Sequence, residues 1–343
     1  MHSLNLVNTG PRTILIVDDA VDNLRMLTEL LKDAYQIRVA KNGEQALRLL
    51  DANPNIDLIL MDVLMPVMDG FAACSAIKKN PALSQIPVIF LTALNDASDE
   101  TNGLACGGAD FISKPFNSEV VKARIRVHLA LRDEQLKSEA LLKILLPETV
   151  IGELKETGRY TPEIHDNTSI MFCDLVGFTS ITERLSPGEL VNELTEVFTA
   201  FDEIVLGNNG VRIKTLGDGY MAATGIGKLE SGHARDLVLS GLEMIAYLNR
   251  RNLASEVEWR CRIGIHSGQI ISGIIGKSRC QFDIMGDDVN IAARVEQNAQ
   301  PMTVTVTKAT ADLLPTSRFT VASVGEVSLK GKGPTHLLEV SDG

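Results

Sequence analysis

Five residues in the first third of the chain have the types and positions to handle a charged phosphoryl group. Asp18 and Asp19 close the apolar run Thr13-Ile14-Leu15-Ile16-Val17, and Asp62 closes the run 57–61. Thr92 closes 87–91, and Lys114 follows 110–113. Continuous apolar runs suit strands buried on both faces of a parallel sheet, and ligands of such sheets sit beyond the carboxyl ends of the strands. Three carboxylates at one edge repel each other unless a divalent cation lies among them, and Mg²⁺ prefers oxygen ligands of this kind. The competing reading is that all five merely cap helices, and it weakens with every further position that fits.

A second constellation lies in the other half. The apolar run 168–173 ends at Asp174, followed by Leu175 and the glycine-containing loop Val176-Gly177-Phe178, whose backbone N–H groups are available to an anion. Further on, VRIKTLGDGYM is a hairpin pattern, with Asp218 at its Asp-Gly tip and Lys214 in its first strand. A lone Asp-Gly tip is usually a solvated turn. Two carboxylates converging at the ends of neighbouring strands suit a two-metal site for phosphoryl chemistry.

Elements must position these groups. A chain of 343 residues with 45% hydrophobic and 22% charged residues suits two globular domains. The formal net charge of −11 argues against a protein held to nucleic acid by phosphate contacts. No apolar run reaches the length of a membrane span, and MHSLNLVNTGPR lacks the layout of a secretory signal. The five cysteines (Cys74, Cys106, Cys173, Cys261, Cys280) are dispersed without paired spacing, which fits free thiols in a cytoplasmic protein. Four of the five lie in or beside apolar segments and read as small core residues.

Up to about Lys122 the pattern alternates strand and helix. Strands are expected at 13–17, 36–40, 57–61, 87–91 and 110–113, with helices between them, one of them near 98–106. Five βα units give a doubly wound α/β domain. The motifs ILIVDDA, LILMDVLMPVMDG, VIFLTA and DFISKPF resemble those of the response-regulator receiver family, over residues 11–122. The resemblance implies that Asp62 accepts a phosphoryl group from a histidine kinase or phosphotransfer protein. It also implies that Asp18, Asp19 and Asp62 hold Mg²⁺, that Thr92 and Lys114 contact the phosphoryl oxygens, and that Phe111 is the aromatic that reorients on activation. A cis Lys114–Pro115 bond also fits the family.

Residues 123–166 read as a helical connector. Val121, Ile125 and Leu129 fall four apart, and Leu129 and Leu136 seven apart. One reading is a helix pair linking two protomers; the other is a helix packed back on its own domain.

Residues 167–343 follow a β-α-β-β-α-β order, the ferredoxin-like α+β plan, which sets the first strand beside the hairpin. Ser186-Pro187-Gly188-Glu189 opens one of its helices with cap, proline and glutamate in their expected places. The motifs MFCDLVGFTS, IKTLGDGYMAATG, GIHSGQIISGIIG, QFDIMGDDVNIAARV and LKGKG resemble, in order, those of the class III nucleotidyl cyclases. That resemblance implies two Mg²⁺ (or Mn²⁺) ions on Asp174, Asp218 and the Leu175 carbonyl, and a nucleotide contacted by Gly177, Phe178 and Thr179. Asn290 would orient the ribose, Arg294 would meet charge on the α-phosphate, and Lys330 would contact the phosphates. Lys214 and Asp283 would read the base. A lysine donating to N1 and an aspartate accepting from N6 match adenine, whereas guanine mispairs with both. One domain carrying one copy of each half of a shared cleft implies a homodimer with two composite sites. The expectation is an adenylate cyclase, converting ATP to cyclic AMP and pyrophosphate under control of Asp62. A catalytically dead signalling scaffold competes with it, disfavoured because none of the expected positions is replaced.

Overall fold

The computed structural model describes residues 10–52, 55–93, 103, 105–227, 231–276, 280–329 and 333–343. Contacts divide the chain between Ile144 and Leu145 into two compact units.

The first unit is built on five parallel strands: β1 (Thr13–Val17), β2 (Gln36–Ala40), β3 (Leu58–Asp62), β4 (Val88–Thr92) and β5 (Asp110–Ser113). Their spatial order is β2-β1-β3-β4-β5, so the chain changes direction of winding between β1 and β3, where ligands of such sheets bind. Between them run α1 (Val21–Leu31), α2 (Gly43–Ala52) and α3 (Gly70–Lys79), and α4 (Ser118–Leu145) follows. The continuous apolar runs are explained by burial on both faces. Leu15, Val17, Ile59, Met61 and Phe90 pack with α2 and α3, while Ile14, Ile16, Leu60, Ile89 and Ile112 pack with α1 and the start of α4. The helix expected near 98–106 falls largely outside the described residues.

The stripe on α4 has an answer for its first half. Val121, Ile125 and Leu129 are buried against the sheet of their own unit. Arg132 donates to the carbonyls of Ile56 and Asp57, and Arg12 pairs with both Asp57 and Asp133. Beyond this anchor Leu136, Leu141 and Leu142 are exposed. At 28 residues the helix is about 42 Å long, far more than the sheet can cover.

The second unit opens with α5 (Glu148–Thr157) and β6 (Glu163–Val176), so strand begins within the stretch read as connector. Then come α6 (Phe178–Thr182), α7 (Pro187–Gly207), β7 (Gly210–Leu216), β8 (Gly219–Thr224), α8 (His233–Asn252) and β9 (Arg260–Ile275). Next are β10 (Gln281–Met285), α9 (Asp287–Gln297), β11 (Val304–Thr307), α10 (Lys308–Ala311), β12 (Phe319–Leu329) and β13 (Gly333–Asp342). The sheet order is β12-β13-β11-β9-β6-β8-β7, with β10 on β9. Its β9-β6-β8-β7 core is the ferredoxin-like arrangement, to which β10 to β13 are additions. Along β6, Met171, Cys173 and Leu175 face the helices α7 and α8, whose Val197, Phe201, Leu237 and Met244 complete that core. Ile170 belongs to the opposite layer, with Met221, Ala223, Ile270, Phe282 and Ala292. Asp174 therefore falls on the side where β10 and α9 lie.

β9 runs unbroken through Gly268, which has no side chain to obstruct its neighbour. A Cβ there would lie 2.2 Å from Oδ2 of Asp288. Of the cysteines, Cys74, Cys173 and Cys261 are buried, Cys106 is half-buried and packs against the core of the first unit, and Cys280 is exposed. The capping box on α7 forms as its sequence requires, with Ser186 and Glu189 bonded reciprocally.

Candidate functional sites

In the first unit, the strand ends bring together the residues their positions predict. Asp18 is fully buried, and its carboxylate accepts from the Ala20 N–H at 2.9 Å, from Asn23 Nδ2 at 3.0 and 2.9 Å, and from Lys114 Nζ at 3.0 Å. Lys114 also pairs with Asp62 at 2.8 Å. One oxygen from each of Asp18, Asp19 and Asp62 lies within 4.8 Å of the others. Burial pushes the Asp62 carboxyl above its usual range; the bond from Lys114 opposes this and the charge of Asp18 adds to it. Burial draws the Lys114 ammonium down, but its bonds to Asp62 and Asp18 outweigh that and leave it raised. Three crowded carboxylates, one of them costly to ionise, form a donor set that fits a hard divalent cation.

Thr92 ends β4, and its carbonyl accepts from the Lys114 N–H at 2.7 Å, so the two share one edge. Phe111 stacks on Phe90 with ring centroids 5.5 Å apart, and its other neighbours include Gly103. The Lys114–Pro115 bond is cis. Asn23 escaped the sequence reading. It lies one turn into α1, and only the fold shows its amide closing over Asp18.

In the second unit, Asp174 stands in register with Gly219 of β8 on one side and with Arg262 of β9 on the other. The hairpin turns through Gly217, whose φ of 66° favours glycine, and this places Asp218 beside β6. The Leu175 N–H reaches the Asp218 carbonyl at 3.4 Å, while the Leu175 side chain is buried in the core. Burial pushes the Asp174 carboxyl up, the charge of Asp218 pushes it further, and Arg262 opposes both. These acids are neighbours held close against their mutual repulsion. With the backbone carbonyls beside them, they suit the oxygen-seeking ions of a two-metal site.

Two residues the sequence reading passed over complete the cluster. Arg262 Nη2 bonds Asp174 at 2.8 Å, and its Nε bonds Glu296 of α9 at 2.5 Å. Neither belongs to a short motif. Their roles depend on the register of β9 against β6 and on where α9 comes to rest, which only the three-dimensional arrangement supplies.

The expected base-reading residues are paired: Lys214 Nζ of β7 lies 2.6 Å from Asp283 Oδ2 of β10. Asn290 and Arg294 sit one turn apart on α9. That helix turns Asp288, Ala292 and Glu296 toward the sheet, and Asn290 is exposed on another face. Asn290 Nδ2 donates to the Gly286 carbonyl at 3.4 Å and Lys214 is held by Asp283, so among the described residues neither bonds the Asp174 cluster. Gly177 takes a left-handed φ of 76° before α6, Phe178 stacks on Trp259 at 6.2 Å, and Thr179 lies in the short helix's first turn. Lys330 lies outside the described residues.

These two sites have known counterparts. Residues 160–340 match the adenylate and guanylate cyclase catalytic domain, and residues 14–126 match the response regulator receiver domain. The chain belongs to the adenylate and guanylate cyclase catalytic family, with a receiver domain in its first unit. Class III cyclase domains use two divalent metals. Guanylyl cyclase C of Homo sapiens is 33% identical over 220 residues, 62% of this chain but 20% of that protein. The chain thus spans about a fifth of that relative's length. A rhodopsin-guanylyl cyclase catalytic core of converted specificity, in complex with ATPαS, shares the fold at a TM-score of 0.51 and 23% identity, over 54% of this chain and all of that one. The adenylyl cyclase CyaB of P. aeruginosa matches at a TM-score of 0.50 and 23% identity, covering 54% of this chain and 97% of its own. No helix among the described residues is long and apolar enough to cross a membrane.

Proposed function

We propose that the protein is a receiver-controlled adenylate cyclase. In a homodimer it converts ATP to 3′,5′-cyclic AMP and pyrophosphate, and phosphorylation of Asp62 by a histidine kinase or phosphotransfer protein regulates it. The domains are taken as a receiver over 11–122, a connector over 123–166 and a catalytic domain over 167–343. Asp174, Asp218 and the Leu175 carbonyl would hold a divalent ion pair, which would lower the pKa of the ribose 3′-hydroxyl and neutralise the triphosphate. The 3′-hydroxyl gives its proton to solvent water, its oxygen attacks the α-phosphorus in line, the bond from that phosphorus to the α–β bridging oxygen breaks, and pyrophosphate leaves.

The remaining side chains bind and orient. Asn290 holds the ribose, and Arg294 meets the negative charge that grows on the α-phosphate oxygens. Arg262, bonded to Asp174 along one guanidinium edge, is placed to reach a phosphate oxygen of a nucleotide bound there. Gly177, Phe178 and Thr179 contribute backbone groups, and Lys330 a phosphate contact. Since α9 carries Asn290 and Arg294 on a face other than the one toward its own Asp174, the reading assigns them to the partner's carboxylates.

The observation that most supports ATP is the Lys214–Asp283 pair. The ammonium donates to adenine N1 and the carboxylate accepts from N6, whereas guanine N1–H and O6 would face like partners. The relative named above at 33% identity is a guanylyl cyclase, which favours GTP as the second reading. Purified protein incubated with ATP or GTP in parallel, with Mg²⁺ or Mn²⁺, separates the two. Cyclic AMP is the expected product. Cyclic GTP-derived product alone would transfer the reading to GTP, and no cyclic product in any phosphorylation state would leave a signalling scaffold.

Two outcomes extend the test. Lys214→Glu combined with Asp283→Cys reverses the donor and acceptor pattern, and should shift the kcat/KM preference toward GTP by about 10²-fold or more. Full mispairing of buried groups costs about 10⁴-fold, but Lys214 keeps 23% of its side-chain surface in solvent, which lowers the figure. Separately, Asp62→Asn should abolish ³²P uptake from acetyl phosphate on an autoradiograph while basal cyclisation remains measurable. Uptake equal to wild type would remove Asp62 as the acceptor.

A further inference from the structure

Glu296 is a buried carboxylate to which the proposed reaction gives no part. It lies near the C-terminal end of α9, 8% exposed, on the face turned to the sheet. Its position is set by backbone contact. A Cβ at Gly264 of β9 would come within 2.1 Å of the Glu296 nitrogen and 2.4 Å of its Cα, so α9 rests directly on the strand at this point. Two residues earlier in that strand, Arg262 projects from the same face. Its Nε meets Glu296 Oε1 at 2.5 Å while Nη2 reaches Asp174 Oδ2 at 2.8 Å. At the other end of α9, Asp288 is fixed to β9 by the Gln269 N–H at 2.7 Å and His266 at 3.1 Å. The helix is therefore docked at both ends, and Glu296 has little freedom to leave.

The guanidinium is thus shared between two acids that differ in what else they can bind. Asp174 is half-exposed beside Asp218 and is the proposed metal ligand; Glu296 is buried and faces the guanidinium. Arginine and a divalent cation compete for the Asp174 lone pairs. With Asp174 as its only counter-charge, Arg262 would pair with it fully and resist displacement. With Glu296 holding Nε, the Asp174 oxygens can turn to a cation while the guanidinium stays in place, its Nη edge toward the site.

We propose that Glu296 is a positioning residue that retains Arg262 beside the carboxylate site, leaving Asp174 to a divalent cation and one guanidinium edge to a phosphate oxygen. This rests on the cyclase reading of Asp174 and Asp218.

The test is a Mn²⁺ titration of the full-length chain without nucleotide, followed by the electron paramagnetic resonance signal of free Mn²⁺. Only the uptake that Asp174→Ala removes is scored, which sets aside ions bound by the receiver unit. Glu296→Gln is expected to weaken that component about 3- to 10-fold and to raise KM for ATP, with kcat at saturating metal and nucleotide within about twofold of wild type. In an Arg262→Gln background the same substitution should change Mn²⁺ affinity less than twofold, since a residue acting through another has nothing left to act on. Glu296→Asp keeps the charge but withdraws it by one methylene, and should show part of the same loss. Equal weakening in both backgrounds would overturn the proposal by reducing Glu296 to a remote charge. So would wild-type Mn²⁺ binding in both Glu296→Gln and Glu296→Asp. If wild type has no Mn²⁺ uptake sensitive to Asp174→Ala, the carboxylate-site reading itself falls, a result distinguishable from either.

Discussion

Asp174→Ala and Asp218→Ala each yield folded protein with no cyclic product above about 10⁻³ of the wild-type rate. The fold survives because neither carboxylate holds the core together. Asp174 is pushed above its ordinary range by burial and by its neighbour Asp218, so its ionised form is under strain in the folded state. Removing one acid relieves that repulsion, and Arg262 retains Glu296 as a partner. Asp218 sits at a hairpin tip whose geometry depends on the left-handed backbone of Gly217. Activity has no such substitute. A bound metal contributes several kcal/mol of transition-state charge stabilisation, and about 4 kcal/mol is a factor of about 10³ in rate. The check pairs a chromatographic cyclic AMP assay with a thermal melt. A variant that keeps more than a tenth of wild-type turnover at saturating Mn²⁺ would show that these acids are not the ligands.

How far the residues announce their site depends on how local the placement is. Asp18, Asp62, Thr92 and Lys114 were readable because each directly follows a strand-like run, with Asp19 next to Asp18, and a parallel sheet gathers the ends of its strands at one edge. Asp174 and Asp218 were readable for a related reason: one ends a strand and the other caps a hairpin that pairs with it. Asn23, Arg262 and Glu296 were not. Each acts through a partner 5, 88 or 34 residues away, and for the last two the strand register and helix seat decide the contact. The α4 stripe was ambiguous because Val121, Ile125 and Leu129 satisfy a helix packed on a sheet as well as a helix pair. The late strands β11, β12 and β13 had no such end-marker residues, and their addition to one edge of the sheet had to come from the fold.

Asp218→Ala and Arg294→Ala, each nearly inactive alone, should recover activity when mixed. Arg294→Ala by itself is expected to lower kcat by about 10²–10³, the loss typical of one donor aimed at transition-state charge, with a smaller effect on KM. The recovery follows from where the residues lie. Glu296 turns in toward Arg262 and Asp174 of its own chain, and two positions along a helix with 3.6 residues per turn amount to about 200°. Arg294 therefore points to a different side of α9 from Glu296, and in a shared cleft it serves the neighbour's carboxylates. In a hybrid of the two variants one cleft receives both defects and the other receives neither. Random exchange makes half of the dimers hybrids, each with one intact cleft, so about a quarter of wild-type activity is the ceiling. Subunit exchange is followed by native mass spectrometry of differently tagged chains, and cyclic AMP is measured on the same sample. Recovery toward that ceiling supports the composite cleft. Hybrids present at the expected fraction with activity no higher than the parents would place Asp218 and Arg294 in the same cleft of one chain, or remove Arg294 from the reaction.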